Sequence, residues 1–395
     1  MRMESVSSQM QCSIQERISR SCNRAGVHMF RHAIALLAAF TPCFTLSLAA
    51  DANEAAPAAK VYDGSVGSSP IVMSLERTDD SLNGNYFYRS KRFDIYLVGD
   101  AKKGALLLNS PITDDKISLK PDGSGYAGSL TTAKGKTFPV RLRPVGPDAA
   151  RAAPVEAPDD LDLYERVRLA GLTLKPEKTE TYAGKTIRWH VESMSGNRMF
   201  RVESGYAAPV METINKSLSK IQWANVSNYF GCAGAEGGSG VDASDVENPF
   251  LSDAYVSFGI NESWSCAGAA HPDFGMEAHT FDARSGKELT LDDFLKFGKG
   301  PVPSEDSPGR SDYLSKTFAP GLVALLKRFH PKEMTPKKDE CDYSDPEVWN
   351  YPAWRLTEKG LYVGASFPRA ARVCDNPKWS TIPYSALSEA KPQLK

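Results

Sequence analysis

Cys266-Ala-Gly-Ala-Ala-His271-Pro-Asp273-Phe-Gly-Met-Glu277-Ala-His279-Thr-Phe-Asp282-Ala-Arg-Ser285-Gly286-Lys-Glu-Leu-Thr290-Leu-Asp292-Asp293-Phe-Leu295 reads in order as a small-residue turn, a strand, a tight turn and a capped helix start. Ala267 to Ala270 carry nothing larger than a methyl group, so the backbone there turns tightly. Met276 to Asp282 reads as a strand, Ser285-Gly286 as the turn that ends it, and Thr290 as the cap of a helix from about Leu291. Asp292 and Asp293 would then sit at the helix amino end, where its dipole favours carboxylates. Strand and helix thus follow one another without strict alternation, which predicts an α+β domain.

Outward from this stretch, residues 161–395 keep the same mixture. Thr181 to Val191, Arg198 to Val202, Ala254 to Ile260 and Leu361 to Phe367 read as strands. Val210, Met211, Ile214, Leu218 and Ile221 recur at helical spacing behind Pro209, a residue suited to a first helical turn, and a second helix is expected from Gly321 to Phe329. Residues 144–160 are rich in Pro, Ala and acid without an apolar period and read as a linker. Ahead of it, residues 61–143 hold seven short β-rich runs at roughly ten-residue spacing, from Ile71 to Leu75 through Phe138 to Leu142, which predicts an all-β meander, either a sandwich or a small barrel. Phe93-Asp-Ile-Tyr-Leu97 alternates, so one of its faces is expected buried and the other wet. The expected organisation is therefore two-domain.

Composition and cysteines set the compartment. The 395 residues are 41% hydrophobic and 24% charged, enough for sizeable cores. Arg31 and His32 precede an apolar run from Ala33 that ends in Ser47-Leu-Ala-Ala50, the order of a signal peptide, with cleavage expected near Ala49 or Ala50. Met29 then reads as the start, and residues 1–28 as an upstream extension. Thr41, Pro42, Thr45 and Ser47 interrupt the run, whereas a span needs about 20 apolar residues, so no membrane span is expected once the signal is removed. Cys43 lacks a lipoprotein junction. Removing residues 1–50 leaves Cys232, Cys266, Cys341 and Cys374, an even set that in an exported chain implies two disulfides. Three connectivities are open. Cys232 with Cys266 and Cys341 with Cys374 is favoured because each closes a loop of about 35 residues within one segment, worth about 3 to 4 kcal/mol apiece. The net charge of −1 becomes about −4 without residues 1–50, which argues against a nucleic-acid partner.

His271, Asp273, Glu277 and His279 are the densest candidates for chemistry. On a strand, Glu277 and His279 share a face, close enough to share a metal or a proton, and His271, Glu277 and His279 form the metal-ligating alternative. Phe281 falls on that face too, which fits a hydrogen-bonded structural histidine equally, and the spacing matches no zinc motif. Ser239 lacks the glycine-flanked pattern of a nucleophile elbow, since Val241 takes the last position. All six tryptophans lie beyond residue 160. Trp264, Trp349 and Trp379 stand near cysteines and are the indoles best placed to meet a sugar face or a protein. No catalytic residue and no cofactor is expected.

The 266–295 stretch, with Trp354-Arg-Leu-Thr-Glu-Lys-Gly360-Leu-Tyr-Val363 and Ile382-Pro-Tyr-Ser-Ala-Leu387, resembles the domain of unknown function in the extracytoplasmic part of the RsiV anti-sigma factor and in some peptidoglycan deacetylases. The resemblance covers residues 180–390. It implies a domain that faces outward and binds lysozyme, or that helps a catalytic partner engage the cell wall. Gly268-Ala-Ala-His271 keeps that family's histidine but replaces one glycine of its turn. Neither a sigma-binding segment nor a deacetylase domain is expected from these residues. The resulting expectation is a periplasmic or secreted, non-enzymatic envelope protein that binds a cell-wall glycan or a protein such as lysozyme, through Trp264, His271, Asp273, Trp349 and Trp379. The alternatives are a metal-assisted hydrolase of envelope polymers and a structural or assembly partner.

Overall fold

The computed structural model describes residues 59–390, except Asp80, Lys103, Glu236 and residues 337–339. The expected signal segment, its cleavage site and Met29 lie outside the described residues. Eight strands open the fold: β1 (Lys60–Val66), β2 (Ser69–Thr78), β3 (Ser81–Tyr88), β4 (Ile95–Lys102), β5 (Ala105–Asn109), β6 (Lys116–Asp122), β7 (Gly125–Thr131) and β8 (Thr137–Pro144). Each pairs antiparallel with the next and β8 returns to β1, so the meander is a closed barrel rather than a sandwich. Closure leaves no strand of it at an edge. Ile71, Met73, Leu97, Leu119 and Leu142 fill the interior, all fully buried. Strand β1 escaped the sequence reading because Asp63-Gly64-Ser65 breaks its β-rich run. Gly64 is nonetheless required there, since a Cβ would lie 1.9 Å from the Arg141 carbonyl oxygen of β8.

One outer wall of the barrel is covered. Helix α1 (Leu163–Leu169) starts at a complete capping box, with Asp162 accepting from the Glu165 amide. It lays Tyr164 and Val167 on Val61, Val72 and Phe87, the outward residues of β1, β2 and β3. Behind this contact, Arg168 donates to Asp94 at 2.6 Å and Tyr164 donates to the same carboxylate oxygen at 2.7 Å. Asp94 belongs to the face expected to be wet, yet it is an ion-pair partner largely enclosed between barrel and helix, its side chain 14% exposed. Segment 144–160, read as a linker, carries a 3-10 turn (Pro147–Ala152) and buries Ala157.

The α+β part follows. Strands β9 (Leu174–Tyr182), β10 (Lys185–Glu192) and β11 (Arg198–Ser204) form one antiparallel sheet. The single strand expected over Thr181 to Val191 is two, because Ala183 and Gly184 both take positive φ (46° and 77°), the requirement of a two-residue hairpin turn. Helix α2 (Ala208–Gly231) begins with Pro209 in its first turn, as expected, and buries Val210, Ile214 and Leu218. It runs on past Ile221 because Trp223, Val226 and Phe230 bury a second stretch of the same helix against Leu169 and Leu172. Strands β12 (Val241–Leu251), β13 (Tyr255–Trp264) and β14 (Asp273–Asp282) make the central sheet. Phe258, Ile260 and Phe281 on one of its faces pack with α2 and β11.

The expected helix at Leu291 is only a 3-10 turn (Leu291–Asp293), although Thr290 and Asp293 do form the capping box. Asp292 pairs instead with Arg310 at 2.6 Å. Helix α3 (Arg310–Tyr313) leads through a π turn (Leu314–Phe318) into α4 (Ala319–Phe329), which packs on β15 (Ala353–Thr357), β16 (Gly360–Gly364) and β17 (Thr381–Ile382) before α5 (Tyr384–Ala390). Both expected disulfides are formed, Cys232–Cys266 and Cys341–Cys374.

Candidate functional site

The site grows from the far end of the central sheet. Trp264 closes β13 opposite Asp273, the first residue of β14, and Cys266 two residues on ties this end to Cys232 at the end of α2. Small residues make the connection: Gly268 takes φ +84° and the Ala269 amide donates to the Cys266 carbonyl, the turn expected from Ala267 to Ala270. Beside it, Gly234, Gly238, Ser239, Asp242 and Ser265 line an open depression of about 540 Å³.

A second loop, held by Cys341–Cys374, reaches the same end. Arg372 donates to the Asp273 carboxylate and, at 2.6 Å, to the Phe274 carbonyl, while its Nε bonds Asp375 at 3.0 Å. Its guanidinium lies 4.9 Å from the centre of the Phe274 ring. Residues 99 positions apart in the chain are thus clasped by one side chain. The clasp leaves apolar surface outward: Phe274 is 42% exposed and Val373, next to Cys374, 92% exposed. A non-polar residue so exposed beside a disulfide-fixed arginine and aromatic ring has the composition of a binding surface.

Of the residues expected from sequence, Asp273 belongs to this surface through Arg372, Trp264 stands opposite it at the same sheet end but on the face away from Phe274, and His271 lies in the turn between them, its Nδ1 3.2 Å from the Pro272 carbonyl. Trp349 does not. It is fully buried, donates to the Tyr343 carbonyl at 2.8 Å and is a core residue under α4. Trp379 is half-buried in an aromatic cluster with His330, Tyr343 and Trp349, at the rim of a hollow of about 260 Å³ by the second disulfide. Sequence reasoning missed Arg372, Phe274 and Val373. The available signal was the adjacency of Arg372 and Val373 to Cys374.

Glu277 and His279 do share a face, with Glu262 of β13 and Ser244 of β12 across the ladder. His279 is 7% exposed; its Nδ1 bonds Glu288 at 2.7 Å, and its Nε2, 3.5 Å from Glu277, has no hydrogen-bond partner. Burial opposes its charge, but the Glu288 bond and the charges of Glu277, Glu288 and Glu262 outweigh that, so its pKa is raised. Glu262 is pushed up to about 7, first by burial and then by the Glu277 charge. Ser244 bridges Glu262 at 3.3 Å and Asn197 at 3.4 Å, and the Asn197 Oδ1, on a residue 7% exposed, is also unpartnered. The phenyl ring of Phe258 packs on the imidazole at 5.3 Å. His271 joins no such group. Among the described residues no three His, Cys, Asp or Glu side chains are placed to hold a metal ion. The geometry can hold and share protons and accept hydrogen bonds from a polar ligand.

No protein-family model matches the chain, and no curated protein matches it. Among the described residues no helix is long and apolar enough to cross a membrane.

Proposed function

We propose that this chain is an exported envelope protein that acts by binding, without catalysis, a cell-wall glycan or a protein ligand such as lysozyme, through the end of the central sheet. The observation that carries the reading is the clasp of Arg372 on Asp273 and the Phe274 carbonyl, which fastens the loop closed by Cys341–Cys374 to the first residues of β14 and so fixes a sheet end that bears Phe274 and Val373 on one side and Trp264 on the other. Surface fixed before binding costs little ordering entropy when a ligand arrives. Trp and Arg are side chains that concentrate binding energy, and the face of an indole suits a sugar face. The two disulfides support an oxidising compartment, and the resemblance to the outward-facing domain of RsiV supports lysozyme as the protein ligand to try first.

The test is calorimetric titration of the oxidised protein with lysozyme and, separately, with soluble muropeptides. Saturable heat with one of them, lost in Trp264→Ala and weakened in His271→Ala, is the expected result. Absence of heat from both at high concentration removes the reading.

A further inference from the structure

The inner face of the central sheet ends in a polar group that shares only Trp264 with the binding end described above. Reading outward along β13, Phe258 and Ile260 give way to Glu262 and Trp264; along β14, Phe281 gives way to His279, Glu277 and Gly275. Gly275 stands beneath the indole, since a Cβ there would lie 3.9 Å from the far edge of the Trp264 ring. Three carboxylates, Glu262, Glu277 and Glu288, surround one imidazole, and the buried His279 Nε2 points to Glu277 without a hydrogen bond of its own. Across the cluster Asn197 Oδ1 is a second buried acceptor without a partner. The Glu277 side chain is 32% exposed, so the group opens to solvent on its side.

An excess of acceptors over donors and of negative over positive charge fits a ligand cation that carries several protons. We propose that this end of the sheet binds the ammonium group of an amino sugar, whose three N–H bonds are taken by Glu277, Glu262 and His279 Nε2 while the sugar ring lies on Trp264. A hydroxyl would satisfy one acceptor and leave the charge unbalanced. A lysine side chain would use the carboxylates but has no ring for the adjacent indole, so the position of Trp264 favours the sugar. With no ligand, a proton on His279, held there by Glu288, Glu277 and Glu262, supplies the positive charge, while Glu262, raised to about 7, carries its own proton at pH 6.5 and offers its carbonyl oxygen as the acceptor. An ammonium group replaces the His279 proton. The inference rests on the glycan branch of the function proposed above.

The probes are the tetramer of glucosamine and the same tetramer fully N-acetylated, titrated into the whole oxidised protein at pH 6.5. The free-amine tetramer is expected to bind at least tenfold more tightly, to lower the titration midpoint of the His279 imidazole followed by NMR, and to lose at least tenfold in affinity in Glu277→Gln. Trp264→Ala is expected to weaken both tetramers. An unchanged melting temperature of unliganded Glu277→Gln shows that the loss is not one of folding. Equal affinity for the two tetramers, or a Glu277→Gln protein that binds normally, overturns the ammonium site while leaving glycan binding standing. Failure of both tetramers to bind removes the ammonium site and the glycan branch together, and leaves only the protein-ligand branch. Competition by N-acetyl-lysine amide that is as strong as the tetramer and indifferent to Trp264→Ala assigns the cluster to a protein lysine and overturns the sugar.

Discussion

Replacing Glu262 with glutamine is expected to stabilise the protein at alkaline pH and to do almost nothing in acid. Glu262 lies between Ser244 and the Glu277 charge, and its carboxyl is raised from 4.5 to about 7, by burial first and by Glu277 second. A raised carboxyl means that the folded state holds a proton the unfolded chain has released. Stability from this group is therefore full below pH 4.5 and is lost as pH rises through about 7. Each pH unit between these limits costs about 1.4 kcal/mol, so the whole interval amounts to about 3 kcal/mol, an upper value because water entering the open side of the cluster reduces it. Glutamine has the shape of the protonated acid and can still accept from Ser244, but it cannot ionise. The assay is urea unfolding of the oxidised protein and of Glu262→Gln, followed by tryptophan fluorescence at pH 4, 6 and 8. The two unfolding free energies should coincide within error at pH 4 and separate steadily, with the variant the more stable by 1 to about 3 kcal/mol at pH 8. Parallel pH profiles would refute the reasoning, for they would mean that Glu262 titrates alike in both states.

Other perturbations probe the parts that position the site. Arg168→Leu strands the Asp94 carboxylate between barrel and α1, where the two side chains are 3% and 14% exposed, and should cost about 3 to 5 kcal/mol in denaturant unfolding. Trp349→Ala should cost about 3 to 5 kcal/mol by emptying the core under α4, without the selective loss of ligand expected of a surface indole. Gly360→Ala brings a Cβ to 2.0 Å from the Ile382 carbonyl oxygen at φ 144° and should lower the melting temperature by separating β16 from β17. Converting both Cys341 and Cys374 to serine should cost about 2 to 5 kcal/mol and loosen the Arg372 loop, read as faster amide exchange at residues 369–375.

Much of this architecture is written locally and so can be read from the chain. Pro209 and the spacing from Val210 to Ile221 give the start and face of α2, Ser285-Gly286 gives the turn after β14, and the closure of short loops gives both disulfides. Where the local signal is double-valued the sequence misleads. Asp94 looks like the wet half of an alternating strand, and only the approach of Arg168 from α1 makes it a largely enclosed, paired anion. Lys60 to Val66 looks too polar for a strand until β8 returns to pair with it and closes the barrel. Trp349 looks like an exposed indole near a cysteine, yet α4 and the Tyr343 carbonyl enclose it. The site divides in the same manner. Glu277 and His279 share a face by the period of two, which any strand imposes, whereas Glu288, Glu262 and Asn197 join them only because a turn, a cross-strand register and a hairpin bring them there. Arg372 is the extreme case, because nothing near position 372 announces a partner at 273.

The account stands or falls on whether that clasped end meets the ligand. Oxidative footprinting of the protein alone and with saturating lysozyme or muropeptide reads this directly, since Trp264, Phe274 and Val373 differ in position from every exposed apolar residue of the barrel, such as Leu107 and Phe138. The account predicts protection of Trp264, Phe274 and Val373 together, with Leu107 and Phe138 unchanged. Protection of the barrel residues with the clasped end still fully reactive would contradict it.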